Sequence, residues 1–489
     1  MSGGGFKHLL LALSLFVTCA AGTAAQQPSG AHRQAAQQVP APAPASPAPP
    51  APPFKQLRYE EDWSHLRDPS RRSAVQDKIK YIPLGDKEGW YLSIGGEARG
   101  RFERFANSSW GQDPEDNNGH LLQRYMLHAD LRLGTRARVF AQIKSGLEDG
   151  RRGGARPTDE DKLDLHQAFF DLKLGNAKNR QLLLRAGRQE MSFGSSRLIG
   201  VRESPNVRQS FDGLRATLDV GVWRVDGFVT KPVETDRGFF DDASDSARTF
   251  WGVYAVRPLN LLPGGNADLY YLGIDRKRAR FEQGASREVR HSAGIRLWGG
   301  RSAWDYNYEF VYQWGTFGRG RIRAWTIASD NGYTLSRVRA RPRLGLKADV
   351  TSGDRNPADP NLQTFNALFP KGAYFGEIAL VGPSNHIDLH PSLELRPAGA
   401  LTLTAEATFF WRESLRDGIY GNAINLLRPG SASDARFVGS QPSVQAEWRL
   451  NRHLTWAGVF SCFFAGSFVS ETGPGRQVRY ITSWLTYKF

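Results

Sequence analysis

The chain has 489 residues, with 64 Lys and Arg against 49 Asp and Glu, a formal charge of +15 and a 40% hydrophobic fraction. Its two cysteines, Cys19 near the N-terminus and the solitary Cys462, leave no disulfide framework and no cysteine-based zinc site. Past the N-terminus no apolar run of about 20 residues occurs, which excludes a bundle of membrane-spanning helices, while the basic excess asks for an acidic partner.

Residues 1–25 read as a secretory signal peptide: Lys7 and His8 start it, Leu9 to Ala20 is apolar, and Thr23-Ala24-Ala25 supplies small residues for cleavage. A lipoprotein signal at Cys19 is disfavoured by the bulky and polar Phe16-Val17-Thr18 before it. Export from the cytoplasm rules nucleic acid out as a partner. Residues 26–53 are an Ala-, Pro- and Gln-rich linker that cannot bury a core and reads as an extended tether. Residues 54–90 form a short charged lead-in on the periplasmic side, which plugs, packs under or simply caps the strand-rich remainder of the chain.

From residue 91 to 489 the pattern has period two. Leu92, Ile94, Gly96, Ala98, Gly100 and Phe102 share one face, with Glu97, Arg99, Arg101 and Glu103 on the other. Tyr125 to Leu133 and Ala137 to Ile143 repeat the alternation around a tight turn at Gly134-Thr135. Further strands are predicted near 163–174, 181–188, 211–220, 222–231, 249–257, 267–276, 289–298, 303–314, 320–328 and 335–350. The last ones fall near 387–396, 400–412, 441–450, 453–464 and 478–489. In Trp304–Trp314 every second residue is a large aromatic, and Asp305, Asn307, Glu309, Val311 and Gln313 lie between. Strands of about 10 residues with one greasy and one wet face are the units of a membrane barrel, lipid outside and water within. A soluble sandwich explains one such strand but not a run of them.

Short turns such as 175–180, 299–302, 397–400 and 451–452 alternate with long polar segments at 107–120, 147–162, 189–210, 232–248, 351–386 and 413–440. Leaving 373–382 inside a loop gives an even count of about 18 strands and puts both termini in the periplasm. The fold class expected is therefore all-β: a transmembrane antiparallel up-and-down β-barrel with short periplasmic turns and long extracellular loops, in the bacterial outer membrane. The chain ends on an alternating strand closed by Phe489, with Ile481, Leu485 and Tyr487 on the same face.

If the greasy face meets lipid, the charged face lines the lumen. On 335–350, Arg337, Arg339, Arg341, Arg343 and Lys347 share one face, and Pro342 removes one ladder donor there. Arg99, Arg101, Arg132, Arg136, Arg138, Arg185, Arg215, Arg296, Arg321 and Arg323 complete the candidate pore lining. Guanidinium groups grip carboxylates with two parallel hydrogen bonds, and basic rings select anions. Wall carboxylates such as Glu97, Glu103, Asp130, Asp219, Asp349, Glu394, Glu406 and Glu447 compete for the same arginines.

Several stretches carry a family likeness: RYEEDW (58–63), KYIPLG (80–85), YLSIGGEARGRFE (91–103), GRQEMSFGSSRL (187–198), VRESPNVRQSFDGLRA (201–216) and TSGDRNPADPNLQTFNALFPKGAYFGE (351–377). In these and in the Phe-terminated last strand the chain resembles the alginate export family of outer-membrane porins, from about residue 54 to the end. The resemblance implies an 18-stranded barrel whose arginine-rich constriction passes an anionic uronate polysaccharide to the exterior. It also implies that 187–216, with Arg188, Arg197, Arg202, Arg208 and Asp212, folds back into the pore. As plain sequence the stretch reads equally as a solvated loop.

The function expected is an anion-selective outer-membrane channel for an alginate-like polyuronate, working passively. The alternatives are a general or small-anion porin, an outer-membrane barrel enzyme, and an adhesin. No G-x-S-x-G elbow occurs, and His128, His166, His291, His390 and His453 are scattered, so no catalytic residues, metal ligands or cofactors are assigned. The partners expected are outer-membrane lipid and lipopolysaccharide and an anionic solute, with room for a periplasmic secretion partner.

Overall fold

The computed structural model describes residues 53–489 except 73, 117, 178–179 and 260–263. The signal peptide and nearly all of the linker lie outside the described residues. Among the described residues eighteen long strands occur in order. They begin with β1 (Trp90–Ala106), β2 (His120–Leu133), β3 (Ala137–Asp149), β4 (Asp161–Ala177), β5 (Arg180–Gln189) and β6 (Phe211–Val220). Next come β7 (Trp223–Glu234), β8 (Arg248–Pro258), β9 (Gly265–Phe281), β10 (Gly284–Arg301), β11 (Trp304–Phe317) and β12 (Gly320–Thr334). The circle ends with β13 (Arg343–Thr351), β14 (His386–Ala398), β15 (Leu401–Trp411), β16 (Phe437–Arg449), β17 (Leu454–Ala465) and β18 (Val478–Lys488). Each pairs antiparallel with its chain neighbours, and β18 pairs with β1 from Glu97↔Lys488 to Ala106↔Arg479. Closure leaves no edge strand with unpaired backbone groups, the condition for a sheet to stand in lipid.

Alternation does what the sequence demanded. Phe310, Tyr312 and Trp314 of β11 are exposed, whereas Val311 and Gln313 are fully buried. Leu344 and Leu346 of β13, Val444 of β16 and Ile481 of β18 are exposed in the same way. An apolar residue placed outward at such length is stable only against hydrocarbon.

Three corrections concern strand limits. The strand predicted over 335–350 begins only at Arg343. Residues 335–342 form a compact turn in which Leu335 N donates to Pro342 O at 2.7 Å, and Ala340 (φ 63) and Arg341 (φ 46) adopt left-handed backbone. Pro342 has no donor for a ladder, so the strand cannot extend through it. Conversely, β9 and β10 are linked by Glu282-Gln283 alone, and β11 and β12 by Gly318-Arg319 alone. Two turns at the long-loop end are thus as tight as any at the other.

Two long loops fold inward. Residues 190–210 leave β5 where Gly187 (φ 130) faces Gly213 (φ 158) across the ladder. A β-carbon at either would sit 2.2 Å from a neighbouring carbonyl oxygen, so the strands approach closely only because glycine stands there. Residues 352–385, within the long polar segment read over 351–386, also turn into the barrel. Phe365, Leu368 and Phe369 meet Met191, Phe193 and Ile199 of the first loop, and both sets pack on Phe211, Phe228, Phe250, Tyr270 and Leu272 of β6 to β9. That stretch of wall is apolar on both faces, lipid outside and loop inside. The lumen is therefore not the uniformly charged hole expected from the alternation.

The lead-in enters from the end that carries the start of β1 and the end of β18, the periplasmic end in bacterial barrels. Arg58 donates to Gly96 O at 3.0 Å and to Phe489 O at 2.8 Å, fastening it at the β1–β18 seam. Tyr59 packs edge-on against both rings of the stacked pair Phe140 and Phe169, and its hydroxyl donates to Glu190 O of the first inward loop at 2.9 Å.

Candidate functional site

Three charged regions succeed one another inside the wall. At the periplasmic end the inward faces of β2 to β7 surround a cavity of about 300 Å³. Arg132, Arg136, Arg138, Lys173, Arg185, Arg215 and Arg224 line it, against Glu60, Asp171 and Asp219. Antiparallel pairing explains the convergence, because Arg132 stands opposite Arg138 on β2 and β3, and Arg185 opposite Arg215 on β5 and β6. Like charges at such spacing must be bridged. Asp130 accepts from Arg138 at 2.6 Å, Asp171 from Arg185 at 2.7 Å, and Asp226 from Arg215 at 2.8 Å. Arg136 is exposed and Lys173 half-buried, and neither has an ion-pair partner among the described residues.

Higher up, arginines of β1 and β2 hold the first inward loop. Arg99 donates to Glu203 O at 2.9 Å and Pro205 O at 3.1 Å. Arg101 pairs with Glu103 at 2.7 Å and with Glu377 of the second loop at 2.8 Å, and reaches Ser204 O at 3.1 Å. Arg124 joins Glu97 at 2.6 Å to Glu203 at 2.5 Å. Burial alone would raise the Glu203 carboxyl, but Arg124 and Arg208 beside it hold it well below the usual carboxylate range. These arginines do what buried charges must, which is to find partners. Here the partners are the β1 carboxylates Glu97 and Glu103 together with groups of the two inward loops, so the arginines tie the loops to the wall and position a constriction.

On the facing wall, Arg197 of the first loop reaches Glu309 at 3.1 Å and Asp349 at 2.6 Å. Lys371 of the second loop is tied by its amide to Ser196 O at 3.0 Å. Burial, with Lys347 and Arg197 nearby, pushes its ammonium down to about 8. Lys347 of β13 is half-buried on the inward face with Asp349. Neither lysine has an ion pair among the described residues, so positive charge goes unmatched here as it does at Arg136 and Lys173.

The remaining predicted residues fall elsewhere. Arg296 pairs with Asp268 at 2.8 Å inside the wall, and Arg343 with Asp305 at 2.5 Å near the periplasmic rim. Arg337, Arg339 and Arg341 lie exposed in the 335–342 turn, not on a strand. Arg321 and Arg323 are exposed on the outer face of β12, opposite to the buried Ile322 and Ala324. The pattern there has apolar residues inward because the inward loops cover them, which reverses the parity argument. Arg188 and Asp212, read as loop residues, are cross-strand neighbours on β5 and β6 that pair at 2.8 Å. Arg208 bridges Glu190 at 2.7 Å and Glu203 at 2.9 Å. Arg202 is half-buried in a left-handed conformation (φ 55), and burial brings its guanidinium down to about 10.

The sequence reading missed Lys173, Arg224, Lys371 and Tyr59 as lumen groups. Lys173 and Arg224 sit on the right parity beside their turns, a signal that was available. Lys371 and Tyr59 lie in segments without periodicity, and nothing local marks them. Among the described residues two groups have spacing suited to a metal ion, Asp349 with His386 and Asp388, and Asp161 with Asp164 and Asp242. Each already meets a cationic side chain, Arg197 on Asp349 and Lys144 on Asp161 at 2.5 Å.

The architecture has counterparts among solved structures from Pseudomonas aeruginosa. OccK8 (OprE) shares 11% identity at a TM-score of 0.55, over 81% of this chain and 98% of its own. OccD3 (OpdP) shares 12% at 0.54, over 86% and 96%. OccK2 (OpdF), solved in complex with glucuronate, shares 12% at 0.53, over 81% and 96%. At such identity these likenesses speak to the barrel fold alone. No curated protein sequence matches the chain. The alginate export family matches residues 90–482, which begin at the first residue of β1 and end within β18. The barrel is that of an outer-membrane channel, and the chain belongs to the alginate export family.

Proposed function

We propose that the protein passes an anionic, uronate-containing polysaccharide through the outer membrane passively, without catalysis, by handing carboxylates from the periplasmic cavity to the lysines of the facing wall. The observation that carries this reading is the cavity, where basic groups outnumber the acidic residues in its lining and Arg136 and Lys173 stand unpaired among the described residues. A carboxylate 4 Å from a cation gains about 1 kcal/mol in bulk water and about 4 at a surface-like dielectric. Contacts of that size, repeated, hold a polymer and still let it move on. Glucuronate bound to OccK2 (OpdF), a barrel of like fold, supports a uronate as the unit recognised.

Reconstitution in planar bilayers tests the proposal. The pore should prefer anions, and polyuronate, not neutral dextran, should block its current at micromolar to millimolar concentration. Cation preference or indifference to polyuronate sinks the reading. A second reading, a small-anion porin, draws on the lumen being occupied by two loops and the lead-in. It predicts that monomeric glucuronate permeates while long polyuronate neither enters nor blocks.

A further inference from the structure

On four adjacent strands the outer face changes character at its upper end. Along β11, Trp304 and Trp314 are ten residues apart, which at the usual rise and tilt spans roughly 25 Å, the height of a barrel's hydrocarbon band. Trp314 therefore marks the outer interface, in a cluster with His291 (5.7 Å), Tyr312 (6.2 Å) and Tyr271 (6.2 Å). Arg323 pairs in register with Trp314, and Arg321 with Thr316 one step higher. Arg319 occupies the turn above them, and Lys277, Arg280 and Arg287 lie exposed on β9 and β10 beside them. Arg280 points away from the buried Ala279 and Phe281, as Arg321 and Arg323 point away from Ile322 and Ala324. The one outward carboxylate in ion-pair contact with the group, among the described residues, is Asp275, taken by Arg287 at 2.6 Å. The other five cations have no ion pair among the described residues.

Unpaired guanidinium groups do not face hydrocarbon, and lumen solutes cannot reach the outer face. We infer that these residues bind the phosphates of an outer-leaflet glycolipid, lipopolysaccharide, whose acyl chains lie along the aromatic and aliphatic face beneath them. Charge, height and the girdle directly below select that occupant: phosphorylated sugars stand at the level of Arg319, Arg321 and Arg323, and planar guanidinium groups grip phosphate bidentately.

Native mass spectrometry of the full-length protein, purified in detergent with EDTA, tests the site with bisphosphorylated lipid A, dephosphorylated lipid A and phosphatidylglycerol as probes. The wild type should retain bisphosphorylated lipid A well above the other two. The triple change Arg319→Gln, Arg321→Gln and Arg323→Gln should weaken that binding about tenfold or more. The pair Arg104→Gln and Arg479→Gln, outward on β1 and β18, should leave it unchanged. Heat-dependent gel migration verifies that each variant is folded, and Arg323→Gln alone should give a smaller loss in the same direction. Undiminished binding by the triple variant, an equal loss in the β1–β18 pair, or equal retention of phosphatidylglycerol would each overturn the inference.

Discussion

Lys80 is 1% exposed and its Nζ has no hydrogen-bond partner among the described residues. It lies 5.1 Å from the ring centre of Trp63 and 5.9 Å from that of Phe489. Burial, with Arg58 alongside, brings it down to about 7, and Glu61 and Asp130 oppose the shift while Arg452 adds to it. The docked segment thus binds fewer protons than a released one between about pH 7 and the ordinary lysine value. Docking should strengthen as pH rises through that window and be weakest below it. Limited proteolysis of the lead-in should be several-fold faster near pH 6 than near pH 9, and Lys80→Met should abolish the difference. Equal cleavage at both pH values would show that the ammonium does not oppose docking. Among lumen groups, Lys347→Ser with Lys371→Ser should cut the anion-to-cation permeability ratio by about two- to fivefold. Changing Arg337, Arg339 and Arg341 together should alter it little, since they lie in the turn. Reversal potentials under a salt gradient distinguish the two outcomes. That contrast shows where single residues were legible. Parity placed Lys347 inward correctly, but it carried Arg337, Arg339 and Arg341 with it through Pro342, because alternation counts residues and does not register where the ladder has ended.

At the scale of elements, strands were easier to read than loops. The outward aromatic row of β11 and the closing strand β18 come from period two alone. The apolar inner faces of β6 to β9 did not, because a greasy residue inside a barrel looks the same in sequence whether a loop covers it or not. The loop 190–210 shows how such coverage is enforced. Arg99, Arg101 and Arg124 supply donors, and Glu203 supplies the charge that Arg124 and Arg208 need. Glu203→Gln should leave the buried guanidinium groups of Arg124 and Arg208 with less negative charge, at a cost of about 1–2 kcal/mol because the Glu203 side chain is itself 39% exposed and screened by solvent. Its readout is a lower midpoint for denaturant-induced release of the loop, together with noisier single-channel current. An unchanged midpoint would mean that the backbone carbonyls alone hold the loop.

The whole molecule is organised by closure. No local rule announces that β1 will meet β18, yet even strand parity and a terminal aromatic strand pointed that way, and the register Glu97↔Lys488 to Ala106↔Arg479 realises it. A closed ladder resists detergent, so unboiled protein should run differently from boiled protein on a gel, and identical migration would argue against a closed barrel. Tyr59 carries a consequence of its own. Its hydroxyl joins the segment rising from one mouth to the strap descending from the other, at Glu190, and Arg208 of that strap reaches back to Gln56 O at 3.0 Å. Tension applied at Phe54 by anything on the inner side is therefore delivered to the eyelet itself, as by a drawstring running down the bore, and no part of that linkage has to move through lipid.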